Sequence, residues 1–201
     1  AVLITAIGVS YLLQNVALLV FGSDTKAFSN VVTLPNLELF DGQLIIKSVT
    51  IVTVIVSIII MVGLTLFVKK TKIGRAMTAV SEDQGAAQLM GINVNGTIAV
   101  TFAIGSSLAA VAGVLLCSAY PSLTPYTGSM PGIKAFVAAV FGGIGSIPGA
   151  FIGGILLGVI ENLSKAYISS QLADAIVFSI LIIVLLVKPT GLLGKKVLEK
   201  V

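Results

Sequence analysis

Residues 48–68 read SVTIVTVIVSIIIMVGLTLFV, twenty-one uncharged residues in a row, and Lys69, Lys70, Lys72 and Arg75 follow at once. Val, Ile and Thr dominate the run, so local propensity alone favours a strand. An isolated strand in lipid leaves its backbone N–H and C=O groups without partners, whereas a helix pairs them internally. About twenty apolar residues is also the length of a helix across the ~30 Å hydrocarbon layer. The run is therefore read as a transmembrane helix, and the rest of the chain is read in the same solvent.

The composition agrees with that solvent. Of 201 residues, 57% are hydrophobic and 10% are charged, against ~25% charged in a soluble domain. No charge stands between Asp83 and Lys134, nor between Lys134 and Glu161. Further spans are expected at about 1–21, 97–119 and 172–187. A polar loop marked by Gly22, Ser23, Asp24, Pro35, Asn36, Asp41 and Gly42 separates the first two spans. The apolar region 133–160 is interrupted by Gly142, Gly143, Gly145, Ser146, Pro148 and Gly149, which predicts two short helices meeting at a bend. The expected fold is all-α: a polytopic transmembrane helix bundle with broken or short helices. It forms a single domain over 1–201, with a polar loop at 71–94 that the resemblance given below makes a cytoplasmic coupling loop. The abrupt, Met-less start at Ala1 suggests a chain incomplete at its N-terminus.

Eight of the twelve basic residues lie in two segments, Lys69 to Arg75 and Lys188 to Lys200. Positive-inside bias places the loop 69–94 and the C-terminus in the cytoplasm. Lys26, Lys47, Lys134 and Lys165 then fall on or near the outer side. Asp174 stands ~21 Å along a helix from Lys188, near the outer interface, where Lys134 or Lys165 is its expected partner. For Gln14 and Asn15 the expectation is a hydrogen bond between helices.

Several function classes are disfavoured. The net charge of +4 sits at the ends of apolar runs, which suits lipid headgroups rather than nucleic acid. There is no His, and the lone Cys117 lies in an apolar run, so it reads as a small packing residue. No intramembrane carboxylate pair or Ser-Lys constellation is evident, which argues against an enzyme. No Gly-x-x-x-x-Gly-Lys-Ser/Thr loop is present, so no cofactor is expected on this chain, and nucleotide chemistry must lie elsewhere.

Two rows of small residues recur every fourth position, Gly105, Ala109, Gly113 and Gly145, Gly149, Gly153. Such a row lets another helix approach closely. The second row adjoins the Gly/Pro break, and broken helices at membrane depth are tolerated only against protein or a water-filled cavity. Gly142, Gly143, Gly145, Ser146, Pro148 and Gly149 are therefore candidates for lining or gating a path.

The segment Ser81-Glu82-Asp83-Gln84-Gly85-Ala86-Ala87-Gln88-Leu89-Met90-Gly91 carries the richest local signals. Ser81 with Gln84 forms a capping box, Glu82 and Asp83 suit the positive end of a helix dipole, and Gly91 is a stop. A helix of about nine residues is too short to stand alone in water and must dock. Ala86, Ala87, Leu89 and Met90 supply apolar surface. A partner's groove, the headgroup layer and the underside of the chain's own bundle all remain open as its seat.

The runs Gly74-Arg75-Ala76-Met77, Gly91-Ile92-Asn93-Val94 and Thr101 to Gly105, with Lys134 to Ala150 and Lys188-Pro189-Thr190-Gly191-Leu192-Leu193-Gly194, strongly resemble the LivH-type permease of branched-chain amino-acid ABC importers. The resemblance covers at least residues 71–194. It implies a permease subunit, itself not an enzyme, that moves branched-chain amino acids into the cytoplasm across a bacterial or archaeal cell membrane. Urea or short amides are the alternative cargo, and an ATP-independent channel or facilitator is the alternative class. The implied partners are a second homologous permease subunit, two ATPase subunits that hold ATP and Mg, and a periplasmic or lipid-anchored substrate-binding protein. In such permeases a Glu-Ala-Ala-x-x-x-Gly loop fits a groove on the ATPase. Here Ala86, Ala87 and Gly91 match, and Gly85 stands where the Glu would be. Ser81, Glu82, Asp83, Gln84, Ala86, Ala87, Leu89, Met90 and Gly91 are the implied coupling residues, and Ala87→Arg is expected to abolish transport while sparing the fold.

Overall fold

A computed structural model describes residues 2–29, 37–39 and 44–194. Pro35, Asn36, Asp41, Gly42, Lys195, Lys196 and Lys200 lie outside the described residues. The fold is all-α and polytopic. Its helices are α1 (Val2–Phe21), α2 (Ser48–Lys70), α3 (Lys72–Glu82), α4 (Gln84–Leu89), α5 (Val94–Ala119), α6 (Ser129–Gly142), α7 (Ile147–Tyr167) and α8 (Ala173–Val187). Among the described residues there are also four strands of two or three residues: β1 (Lys26–Ala27), β2 (Leu37–Leu39), β3 (Leu44–Ile46) and β4 (Ser122–Leu123). β1 pairs antiparallel with β4, and β2 with β3.

Among the described residues, three helices, α2, α5 and α7, are long and apolar enough to cross a membrane. None of the most apolar stretch of α2 or α5 is buried within the chain. Ile59, Leu66 and Phe102 stand in the open. Water does not tolerate such continuous apolar surface, and lipid or further helices do.

The chain divides into two compact units. The first holds α1, most of α2, α3, α4, α5 and the strands. Within it Gln14 and Asn15 bond to Ser10 and to the Tyr11 carbonyl of their own helix, so the expected bond between helices is replaced by a local one. A long polar side chain reaches back one turn without needing a neighbour. Cys117 is buried, as a small packing residue should be.

The second unit holds α6, α7 and α8 with Met61–Thr65 of α2. Its core is Val137, Ala138, Phe141, Leu157 and Val177, with Phe178, Leu181 and Leu192 packed around them. One of the two helices expected to be short is not. α7 has 21 residues because Pro148 lies in its first turn, where the missing N–H would have had no partner anyway. The proline opens the helix instead of bending it.

Candidate functional site

The basic loop after α2 contains almost no slack. Thr71 ends α2 and starts α3 at once: its Oγ1 donates to the Phe67 carbonyl at 2.8 Å and accepts from the Gly74 amide at 3.0 Å. A Cβ on Gly74 would lie 2.4 Å from the Cα of Val68, so only glycine lets α3 cross the end of α2 this closely.

The cap of α4 differs from the capping-box expectation. Ser81 belongs to the last turn of α3, where its hydroxyl donates to the Thr78 carbonyl. Asp83 takes the cap, with extended backbone (φ −157°, ψ 109°) and a carboxylate that accepts from the Ala86 amide at 3.0 Å. A charged oxygen is the stronger acceptor for an amide at a helix start. α4 is consequently six residues long, shorter than expected.

Its end matches the expectation. Gly91 has φ +81°, its amide donates to the Gln88 carbonyl, and the Ile92 amide donates to the Ala87 carbonyl. This paired closure requires a left-handed residue after the cap, which glycine supplies without strain. Asn93 then caps α5 through the Gly96 amide at 3.0 Å. Gln84, Gly85, Gln88, Asn93 and Asn95 line an open polar recess of about 540 Å³ between α4 and α5. Gln88, Asn93 and Asn95 were not singled out as site residues. Polar residues of this kind carry no helical periodicity that would mark them as one surface.

The apolar residues of α4 part ways. Leu89 is 91% and Met90 83% exposed, and Ala86 is exposed too, whereas Ala87 is only 4% exposed. A partner can reach the first three. Ala87→Arg would drive a charge into packed surface, so the expectation that it spares the fold is corrected: burial makes it a folding variant.

The second candidate region is the break between α6 and α7. Ser146 caps α7 by accepting from the Gly149 amide at 3.1 Å. A Cβ on Gly142 would lie 2.0 Å from the Gly149 carbonyl oxygen, and one on Gly149 would lie 2.5 Å from that of Gly142. Gly142, Gly143 and Gly149 are buried, while Gly145 faces open space. Within this unit the break is thus closed backbone against backbone.

What closes it is the Lys188–Gly194 segment. The amides of Leu192 and Leu193 donate to the carbonyls of Phe141 and Gly142, each at 2.9 Å. Those are carbonyls that the end of α6 leaves without helical partners. Gly143 (φ +110°) lies under Gly194, and Gly191 (φ +74°) lies on Gly143, both too close for any side chain. Two of the sequence signatures therefore meet at one point.

Elsewhere in this unit a single ammonium ties three helices together. Lys134 of α6 bonds Glu161 of α7 at 2.8 Å and Asp174 of α8 at 2.7 Å, and Lys165 also reaches Glu161. The expected pairing of Asp174 with Lys134 is present, and Glu161 joins it.

Comparison with known proteins bears on what these parts serve. Residues 1–186 match the model of a family described as the branched-chain amino acid transport system permease component. The chain is similar to the high-affinity branched-chain amino acid transport system permease protein LivH of Salmonella typhimurium, 49% identical over 99% of this chain and 65% of the relative. BraD of Pseudomonas aeruginosa, a permease protein described in the same words, is 46% identical over 99% of this chain and 66% of its own length. The xylose transport system permease protein XylH of Escherichia coli is 31% identical over 52% of this chain. No solved structure matches. The chain spans about two thirds of the length of the first two relatives.

Proposed function

Because the chain belongs to the family of branched-chain amino acid transport system permease components, we propose that it forms part of the membrane-embedded subunit of an ATP-driven importer for leucine, isoleucine and valine. The observation that carries the mechanism is α4: a short helix capped at both ends that leaves Leu89 and Met90 exposed. Six residues cannot hold a helix in water by themselves, and two large apolar side chains at its end suit a groove on another protein. That protein is an ATPase subunit in the cytoplasm, where the basic loop 69–94 resides, and it holds the ATP and Mg that this chain does not bind. A second permease subunit and a periplasmic or lipid-anchored substrate-binding protein complete the machine.

Force enters at α4 and passes to α3 and α2 through Thr71, which leaves no free residue between them. The closed break at Gly142 and Gly149 serves as a fixed point, supported by its backbone-to-backbone contact. Urea and short amides form the second substrate reading, and the likeness to a xylose transport system permease protein supports a cargo outside the branched-chain amino acids.

The test is uptake of labelled leucine by cells carrying the full-length gene with its ATPase and binding-protein genes. A knockout of the ATPase phosphate loop is expected to abolish uptake, and persistent uptake would assign a facilitator instead. Leu89→Arg with Met90→Arg is expected to abolish uptake at unchanged membrane abundance. Full uptake in that variant would reject α4 as the coupling helix.

A further inference from the structure

Ser48 to Val68 is twenty-one residues without a charge, or ~31 Å of helix at ~1.5 Å per residue. The hydrocarbon layer is ~30 Å thick. A helix that spans it brings Lys69 and Lys70 out at the depth of the headgroups. Thr71 turns the chain there with no free residue between α2 and α3, and the close approach of Gly74 to Val68 holds the start of α3 against the last turn of α2. Lys72 and Arg75 are thereby kept near the same depth, so four cations stand within the seven residues 69–75.

Their charge is not neutralised nearby. All four are exposed, and among the described residues the ion pairs are those of Lys134, Lys165, Glu161 and Asp174. Lys69 and Lys70 suit the negative end of the α2 dipole. Lys72 and Arg75 instead stand at the start of α3, where the dipole repels a cation, and no acid in its first turn offsets them. Asp83, further along, is committed to the cap of α4. Ile73 follows Lys72 and is 47% exposed. An apolar side chain set among cations is the composition of a helix surface that lies in the headgroup layer. An acidic face on a soluble partner would attract the same four charges, but the depth of Lys69 and Lys70 and the exposure of Ile73 both favour lipid.

We propose that Lys69, Lys70, Lys72 and Arg75 form a binding surface for the phosphates of anionic phospholipids, with Ile73 seated at the boundary between headgroups and acyl chains. The surface selects anionic over zwitterionic lipid and ties the corner between α2 and α3 to the membrane. The proposal rests on α2 crossing the bilayer and not on the cargo, so its failure leaves the importer reading intact.

The experiment reconstitutes the full-length permease with its partner subunits in phosphatidylcholine bilayers. Trace phosphatidylglycerol or trace phosphatidylcholine is added, each bearing the same photoreactive acyl chain, and mass spectrometry reads the labelling of the end of α2 and the start of α3. Labelling by phosphatidylglycerol is expected to exceed that by phosphatidylcholine about tenfold or more, since each cation near an anionic surface contributes about fivefold. Raising the salt from ~0.1 M to ~1 M shortens the reach of charge from ~10 Å to ~3 Å and is expected to remove most of that preference. Lys72→Gln with Arg75→Gln is expected to lower it about tenfold at unchanged thermal unfolding, and Lys72→Arg with Arg75→Lys to keep it. Equal labelling by the two lipids would overturn the proposal, as would a preference unchanged by both salt and the Gln pair. Loss of the ATPase subunits from the Gln variant on co-purification, at undiminished lipid preference, would assign the charges to a protein contact instead. The salt comparison needs no variant, so a misfolded one leaves the test standing.

Discussion

The row Gly145, Gly149, Gly153 and the row Gly105, Ala109, Gly113 share one spacing, and the first is used at Gly149 and Gly153, its two members on α7, where the second is not. A Cβ added to Gly149 or Gly153 would lie 2.5 Å from a carbonyl oxygen of α6, whereas one added to Gly105 or Gly113 would meet nothing within 4 Å. Small residues at every fourth position permit a close approach but do not cause it. The partner decides: α6 presents Ala138 and Gly142, themselves four apart, so two smooth surfaces meet and their backbones touch. On α5 the same spacing stays open, beside Thr101, Phe102 and Ser106 in a shallow apolar recess.

The comparison can be broken most directly at Gly142. Gly142→Val places a side chain where backbone already stands, and a loss of about 3 kcal/mol or more is expected, read as a drop in thermal unfolding temperature of the purified permease. A variant as stable as the parent would show that the two helices separate freely. Gly191→Ala combines a left-handed backbone with a Cβ 2.6 Å from the Cα of Gly143, and about 1–3 kcal/mol should be lost. The same thermal scan reads it, and a neutral result would detach the closing segment from the break.

Lys134→Met tests whether ion pairs or glycine contacts hold the three helices. The partners are partly exposed, with side chains of Glu161 and Asp174 at 17% and 39%, so the expected cost is only about 1 kcal/mol. A double-mutant cycle with Asp174→Asn measures the coupling, and a value well above that would make the charged cluster the main tie. The smallest effect belongs to the open row. Gly105→Ala and Gly113→Ala should change stability by no more than about 1 kcal/mol, in the stabilising direction, because alanine favours helix. If either instead prevents assembly of the importer, as read by co-purification of its subunits, then another chain fills that row.

The helices were legible because an apolar run of about twenty residues has one solution in lipid. Ser48 to Lys70 is the clearest case, strand-like in propensity and helical throughout. Gly91 was legible as a stop because so few residues suit a left-handed position. The start of α4 was not, since Ser81 and Asp83 are both capping types two residues apart and only the course of α3 chooses between them. The contact of Gly143 with Gly191 and Gly194 gave no local signal, because its halves lie about fifty residues apart. β1 and β4 hid for a related reason: two-residue strands have no period to detect.

The capping of α6 by Leu192 and Leu193 also sets an order of events in biosynthesis. The carbonyls of Phe141 and Gly142 leave the ribosome about fifty residues ahead of the amides that will satisfy them. At ~5–20 residues per second that interval is roughly 3–10 s. Throughout it, the end of α6 must hold its open backbone in water or among headgroups. The three-helix unit is therefore sealed only once the Lys188–Gly194 segment has been made.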